Sequence, residues 1–239
     1  MIQGILFAGL AALADVAGGL LVTTRIRHST AMLNTLVGFG AGFMLAVALL
    51  EMLPHAFEVE NGLFAVLIGY LAVHLTQHTL TPHFHFGEET HDDAMVSRGV
   101  GVWALVGLIP HSFFDGVAIA GGYLVSAEVG FLIFLAVLLH KIPTGVSLAS
   151  VMLASGNTIR SALIAVTVLG LVTVLGAVIT PAIDVLAHFG LALAAGVTIY
   201  VAASNLIPES QRAEGWFVPA AVFIGVIGFA LIRMLLPGH

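Results

Sequence analysis

The chain reads as a succession of long apolar stretches separated by short polar or Pro/Gly-rich breaks. Eight stretches stand out, at about residues 2–24, 32–53, 63–80, 99–125, 129–153, 162–183, 187–207 and 217–236. Each approaches the roughly 20 mainly apolar residues that a helix needs to cross a bilayer. The pattern predicts an all-α polytopic membrane protein with eight transmembrane helices. Nearly the whole chain, residues 1–239, is then one membrane domain.

Composition supports this solvent. Apolar residues make up 59% of the chain and charged residues 8%, with a mean hydropathy of +1.11. A soluble domain carries about a quarter charged residues, so this surface is built for lipid. The net charge of −6 is thinly spread. No basic patch suits nucleic acid, and no polybasic run suits anionic lipid. With no cysteine, disulfides and thiolate metal sites are excluded. The first stretch lacks a basic segment before it and a small-residue cleavage site after it, and is expected to be a retained span.

The arginines set an expected orientation. Arg25 and Arg27 follow span 1, Arg98 follows span 3, Arg160 follows span 5 and Arg212 follows span 7. The other connections are acidic (Glu58, Glu60, Glu128), with only Arg233 near that side. Cytoplasmic connections are enriched in Lys and Arg, which places both termini outside the cytoplasm in a plasma (inner) membrane. Segment 81–97 is then a cytoplasmic His/acid-rich loop carrying His83, His85, Glu88, Glu89, His91, Asp92 and Asp93. It is either a solvated loop or a flexible metal-collecting segment.

Two pairs of spans match each other. Span 4 contains His111-Ser-Phe-Phe-Asp115-Gly116-Val-Ala-Ile-Ala120, and span 5 contains His140-Lys-Ile-Pro-Thr144-Gly145-Val-Ser-Leu-Ala149. Ala41-Gly42 and Leu53-Pro54 of span 2 recur at equal spacing as Ala195-Gly196 and Ile207-Pro208 of span 7. Members of each pair cross in opposite senses. The expectation is a 3+2+3 arrangement with inverted repeats, as many secondary transporters use around a midplane substrate site.

The candidate chemistry lies inside these spans. His111 and Asp115 are four residues apart and share a helix face, as do His140 and Thr144. Imidazole nitrogen with carboxylate oxygen suits Zn²⁺ or Fe²⁺ better than an all-oxygen Ca²⁺ or Mg²⁺ cage. A lone histidine is more often a satisfied core residue. Two histidines and an aspartate in matched positions point instead to a pathway, because ionisable groups in the membrane are costly. Pro143 would free the carbonyl of Leu139 beside His140. Lys141 is too deep to reach the interface and needs a carboxylate partner, Asp115 or Asp15. Met44 faces the bilayer interior. Glu51 and His55 form a possible entrance. His74 and His78, with His83 and His85 just beyond, form a possible exit.

HSFFDG and HKIPTG resemble the paired signature motifs of the ZIP metal transporters, which commonly read HNxx(D/E)G and H(N/E)IP(E/H)(G/E). AGFMLAVALLEMLPHAFE and AAGVTIYVAASNLIPESQR are similar to that family's second and seventh spans. The resemblance covers almost the whole chain. It implies elevator-type uptake of Zn²⁺, and often Fe²⁺, Mn²⁺ or Cd²⁺, towards the cytoplasm. It implies a metal site of His111, Asp115 and His140, with Thr144 at a bridging position and Met44 nearby. The family's second metal position departs from pattern. Ser112 and Lys141 replace its usual ligands, and Thr173 stands where Glu opens a Glu-Pro-Leu-Gly-Ala-like motif; Ser204-Asn205 replaces a frequent His-Glu pair. The expectation is a mononuclear site in which Lys141 supplies the second cation's charge.

The expected partners are divalent ions as substrate and the lipid bilayer, with no cofactor and no nucleic acid; a homodimer is an admissible assembly. No Gly-x4-Gly-Lys-[Ser/Thr] loop supports ATP coupling, and no His-Glu-x-x-His supports an intramembrane metallohydrolase. The lost carboxylates make a transport-impaired metal sensor or structural homologue the main alternative to transport.

Overall fold

A computed structural model describes residues 2–23, 30–79, 98–210 and 216–235. Among them lie eight helices: α1 (Ile2–Thr23), α2 (from Thr30–Val47 on to Glu58), α3 (Gly62–Thr79), α4 (Arg98–Val125), α5 (Ala127–Ala154), α6 (Ile159–Ile179), α7 (from Asp184–Tyr200 on to Ser210) and α8 (Phe217–Leu235). Seven are long and apolar enough to cross a membrane, and the apolar part of α3, Gly62–Gln77, is shorter. Large apolar residues such as Phe64, Phe223 and Leu231 lie exposed on the outer faces of the bundle. An exposed apolar surface of this extent requires lipid around it. The chain is a polytopic membrane protein.

Helix ends follow local chemistry. The Ser126 hydroxyl accepts from the Val129 N–H at 3.1 Å and starts α5 one residue after α4 ends. The Thr158 hydroxyl does the same for the Ser161 N–H at 3.1 Å at the start of α6. Both satisfy an orphan donor of a first helical turn.

Two helices run further than their prolines suggested. α2 was expected to end at residue 53 and α7 at 207, yet both continue, to Glu58 and Ser210. In each, a π-helical turn, Ala48–Met52 or Val201–Leu206, lies just before the proline. The Leu53 N–H bonds the Ala48 carbonyl and the Ile207 N–H bonds the Ala202 carbonyl, five residues back. The wider turn relieves the clash between the ring of Pro54 or Pro208 and the carbonyl four residues before it.

Glycines set the closest crossings. A Cβ on Gly18 of α1 would strike the Ile142 carbonyl of α5, and one on Gly145 of α5 would strike the Asp15 carbonyl of α1. Gly116 of α4 and Gly176 of α6 meet the carbonyls of Thr173 and Phe113 in the same reciprocal way. Two further reciprocal pairs join α2 to α8 (Gly42, Gly225) and α3 to α7 (Gly69, Gly196). Only residues without a side chain let backbones approach this closely, the usual device for helix association in lipid. The first of these crossings brings α1 against α5, and α4 packs beside α5 around the buried polar residues.

Candidate metal centre

α4 and α5 lie side by side, and each carries its imidazole near mid-length. His111, Asp115 and His140 are 4%, 3% and 2% exposed, and one ligand atom from each lies within 4.8 Å of the other two. The four-residue spacing stacks His111 over Asp115, with His111 Nε2 3.5 Å from Asp115 Oδ2. His140 Nε2 reaches the same oxygen at 3.3 Å from the neighbouring helix. The two imidazole centroids are 5.2 Å apart.

The hydrogen bonds show what this group lacks. His140 Nδ1 lies 2.9 Å from the Ala136 carbonyl. A carbonyl only accepts, so Nδ1 donates and a neutral ring leaves Nε2 unprotonated. Nε2 and Asp115 Oδ2 are then two acceptors facing each other, and a cation between them gives the imidazole nitrogen the partner it lacks. His111 Nδ1 is buried with no hydrogen-bond partner. The Thr144 hydroxyl donates to the His140 carbonyl at 2.8 Å.

Lys141 reaches the same Asp115 oxygen that the two histidines face. It is fully buried, with Nζ 3.1 Å from Asp115 Oδ2 and 3.1 Å from Asp15 Oδ2 of α1, and it donates to Ser112 Oγ at 2.9 Å. Three oxygens from α1 and α4 therefore cage one ammonium. Thr173 is not part of the cage, because its hydroxyl turns back to the Leu169 carbonyl at 3.5 Å.

A cavity of about 20 Å³ adjoins the histidines, room for about one water. Leu108, His111, His140, Thr144, Gln77 and Asn205 are among its walls. Asn205 donates to Gln77 Oε1 at 3.2 Å and closes the side towards the ends of α3 and α7. Asn205 was noted from the sequence only as a departure from the family pattern and Gln77 not at all, because only the pairing of α3 with α7 brings them together. Met44 is buried in the apolar core of α2 and does not line this cavity.

The other candidates lie apart. Glu51 and His55 meet at the far end of α2, with His55 Nε2 3.9 Å from Glu51 Oε1. His74 packs edge-on against Tyr200 with centroids 5.8 Å apart. The His78 side chain, His83 and His85 lie outside the described residues.

Residues 85–236, more than half the chain, match the sequence model of the family described as ZIP Zinc transporter. The chain belongs to the ZIP family. Full-length relatives agree with this membership. A protein of Enterobacter sp. (strain 638) named Zinc transporter ZupT is 30% identical, with 96% of each chain covered. Proteins of the same name from Escherichia coli and Salmonella paratyphi A are 28% and 29% identical, covering 96% and 86% of this chain and 96% and 85% of their own. Within this ZIP chain, the buried His/Asp group sits in the two helices that carry the paired motifs.

Proposed function

We propose that the chain carries Zn²⁺, or a similar borderline divalent ion such as Fe²⁺, Mn²⁺ or Cd²⁺, into the cytoplasm through a mononuclear site of His111, Asp115 and His140. The carrying observation is the opposed pair of acceptors, His140 Nε2 and Asp115 Oδ2, 3.3 Å apart in a buried position with His111 beside them. Nitrogen and oxygen donors at this density suit Zn²⁺. The relatives' printed name, Zinc transporter, points to the same ion. Thr144 stands by as a further oxygen donor in the cavity wall, and Met44 as a buried residue of the neighbouring α2. The ammonium of Lys141 in a cage of three oxygens supports one metal rather than two.

The route follows from the same features. Glu51 and His55 stand at one end of the bundle. The cavity walled by Gln77 and Asn205 leads towards the other, with His74 one turn of α3 before Gln77, and from the arginine pattern we read that end as cytoplasmic. The reciprocal glycine crossings relate α1–α5 to α6–α4, and α2–α8 to α7–α3. That pairing supports a 3+2+3 arrangement of inverted repeats, in which one helix group moves against another; the elevator-type form of that movement is our reading from the family resemblance.

The test is radioactive zinc uptake into proteoliposomes. The chain is expected to carry zinc down its gradient. His140→Ala is expected to lose most of that flux while staying monodisperse, since a donor beside a cavity contributes more to binding than to packing. Zinc binding without flux in the parent chain would favour the sensor reading. Undiminished flux in a folded His140→Ala variant would refute the site.

A further inference from the structure

The logic of the central site recurs at the far end of α2. Glu51 is 5% exposed and His55 follows it by one turn. His55 Nδ1 lies 3.4 Å from Glu58 Oε2, a contact in which only the ring nitrogen has a proton to give. His55 Nε2 faces Glu51 Oε1 at 3.9 Å, while the other oxygen, Glu51 Oε2, has the Arg233 Nε of α8 at 3.2 Å. An imidazole donates on one side and confronts a carboxylate on the other, and a basic side chain holds that carboxylate by its second oxygen. His140 stands towards Asp115 in a similar way, except that Lys141 there contacts the very oxygen the imidazole faces.

Space and charge fit a cation here. Glu51, His55, Glu128 and Arg233 line a cavity of about 340 Å³ where α2, α5 and α8 meet. An adjoining cavity of about 230 Å³ brings Glu58 and His188 to the same mouth. Glu51, Glu58 and Glu128 against Arg233 leave two net negative charges, which one divalent ion neutralises. A carboxylate accepting from the far nitrogen of a ligating imidazole fixes its tautomer and raises its basicity; Glu58 is placed to do this. The separation of Nε2 and Oε1 lets one ion bind both after a small adjustment, because Zn–N and Zn–O bonds are each about 2.0–2.2 Å.

We propose that His55 Nε2 and Glu51 Oε1 form a second divalent-metal site at this mouth, with Glu58 orienting the imidazole and Arg233 holding the opposite oxygen of Glu51. Its ligand class is a borderline divalent ion of the Zn²⁺ type, with cavity water completing the coordination. The identity of the ion rests on the proposed function; the site itself does not.

Zinc titration calorimetry on the full chain in detergent tests it. His140→Ala disables the central site and isolates any other. In that background a residual zinc site is expected, and adding His55→Ala should weaken it at least tenfold. Adding Glu58→Gln, which touches no metal, should weaken it severalfold. Glu51→Gln keeps the side-chain volume and serves if the His55→Ala chain does not stay monodisperse. Residual binding that ignores both changes belongs to other histidines and overturns the proposal, as does the absence of residual binding in a folded His140→Ala chain. If His140→Ala leaves the tightest binding untouched, the central site fails, and the His55 and Glu51 variants still decide this one.

Discussion

Replacing Lys141 by Met separates two effects of its charge, one on the fold and one on the metal. Met keeps much of the aliphatic stem and adapts to its surroundings, so the main loss is the ammonium. That group lies 3.1 Å from Asp15 Oδ2 and 3.1 Å from Asp115 Oδ2. At an effective dielectric of ~20 each contact is worth ~5 kcal/mol of Coulomb attraction, before desolvation cancels most of it. Removing one partner is different, because the carboxylates stay buried. Apart from the Lys141 contact, neither Asp15 oxygen has a hydrogen-bond partner, so the charge of Lys141 is its compensation. Leaving a buried charge uncompensated costs about 3–5 kcal/mol. For a chain of this length that corresponds to a fall of roughly 10 °C in melting temperature. The second effect is on metal. With Lys141 present, Asp15, Asp115 and the ammonium carry one net negative charge, and without it they carry two. A divalent ion should therefore bind Lys141→Met more tightly and restore part of the lost stability. The expected outcome is a lower melting temperature without zinc and a larger zinc-induced rise than in the parent chain. Asp15→Asn added to Lys141→Met should recover much of the loss. Thermal unfolding in detergent, with and without zinc, measures all of this. A Lys141→Met chain that melts like its parent without zinc, or that gains no extra stability from zinc, would refute the reasoning.

Two other expectations follow from the packing and the site. Gly145→Ala places a Cβ against the Asp15 carbonyl of α1; overpacking of this kind costs about 1–3 kcal/mol, and a lowered melting temperature together with reduced zinc flux is expected. Cd²⁺-soaked crystals should give one strong anomalous peak between His111, Asp115 and His140, and two peaks about 4 Å apart there, the spacing of bridged two-metal sites, would refute a mononuclear centre.

The sequence carried the spans and the core of the site because both are local patterns. Apolar length alone announces a crossing helix, and a four-residue spacing puts His111 over Asp115 whatever surrounds them. Matched motifs in adjacent spans brought His140 to the same place. What was not legible depends on packing between distant segments. The sequence names Asp15 beside Asp115 as a partner for Lys141, but it lies 126 residues before it, and only the close crossing of α1 with α5 decides that both hold the ammonium. Gln77 and Asn205 are ordinary amides until α3 pairs with α7. The reach of α2 and α7 past Pro54 and Pro208 was hidden for another reason. A proline signals a break in hydrogen bonding, and a π turn absorbs that break without ending the helix.

The reciprocal glycine contacts also bear on how such a bundle moves. Where two backbones touch at both ends of a crossing, no side chain remains to rotate out of the way, and neither helix can slide along its neighbour without a collision. Mechanically the eight rods become four struts: α1 with α5, α4 with α6, α2 with α8 and α3 with α7. The two histidines ride on different struts, one on α4 and the other on α5, while Lys141 ties α5 and its strut-mate α1 to α4 through Asp115. The donor set around a metal is thus assembled at a joint between struts and not within one. Gly170 of α6 also meets the Ala12 carbonyl of α1, so the two struts are joined on the side away from the metal, and a slide of α4 along α5 is what would change the distance between His111 and His140.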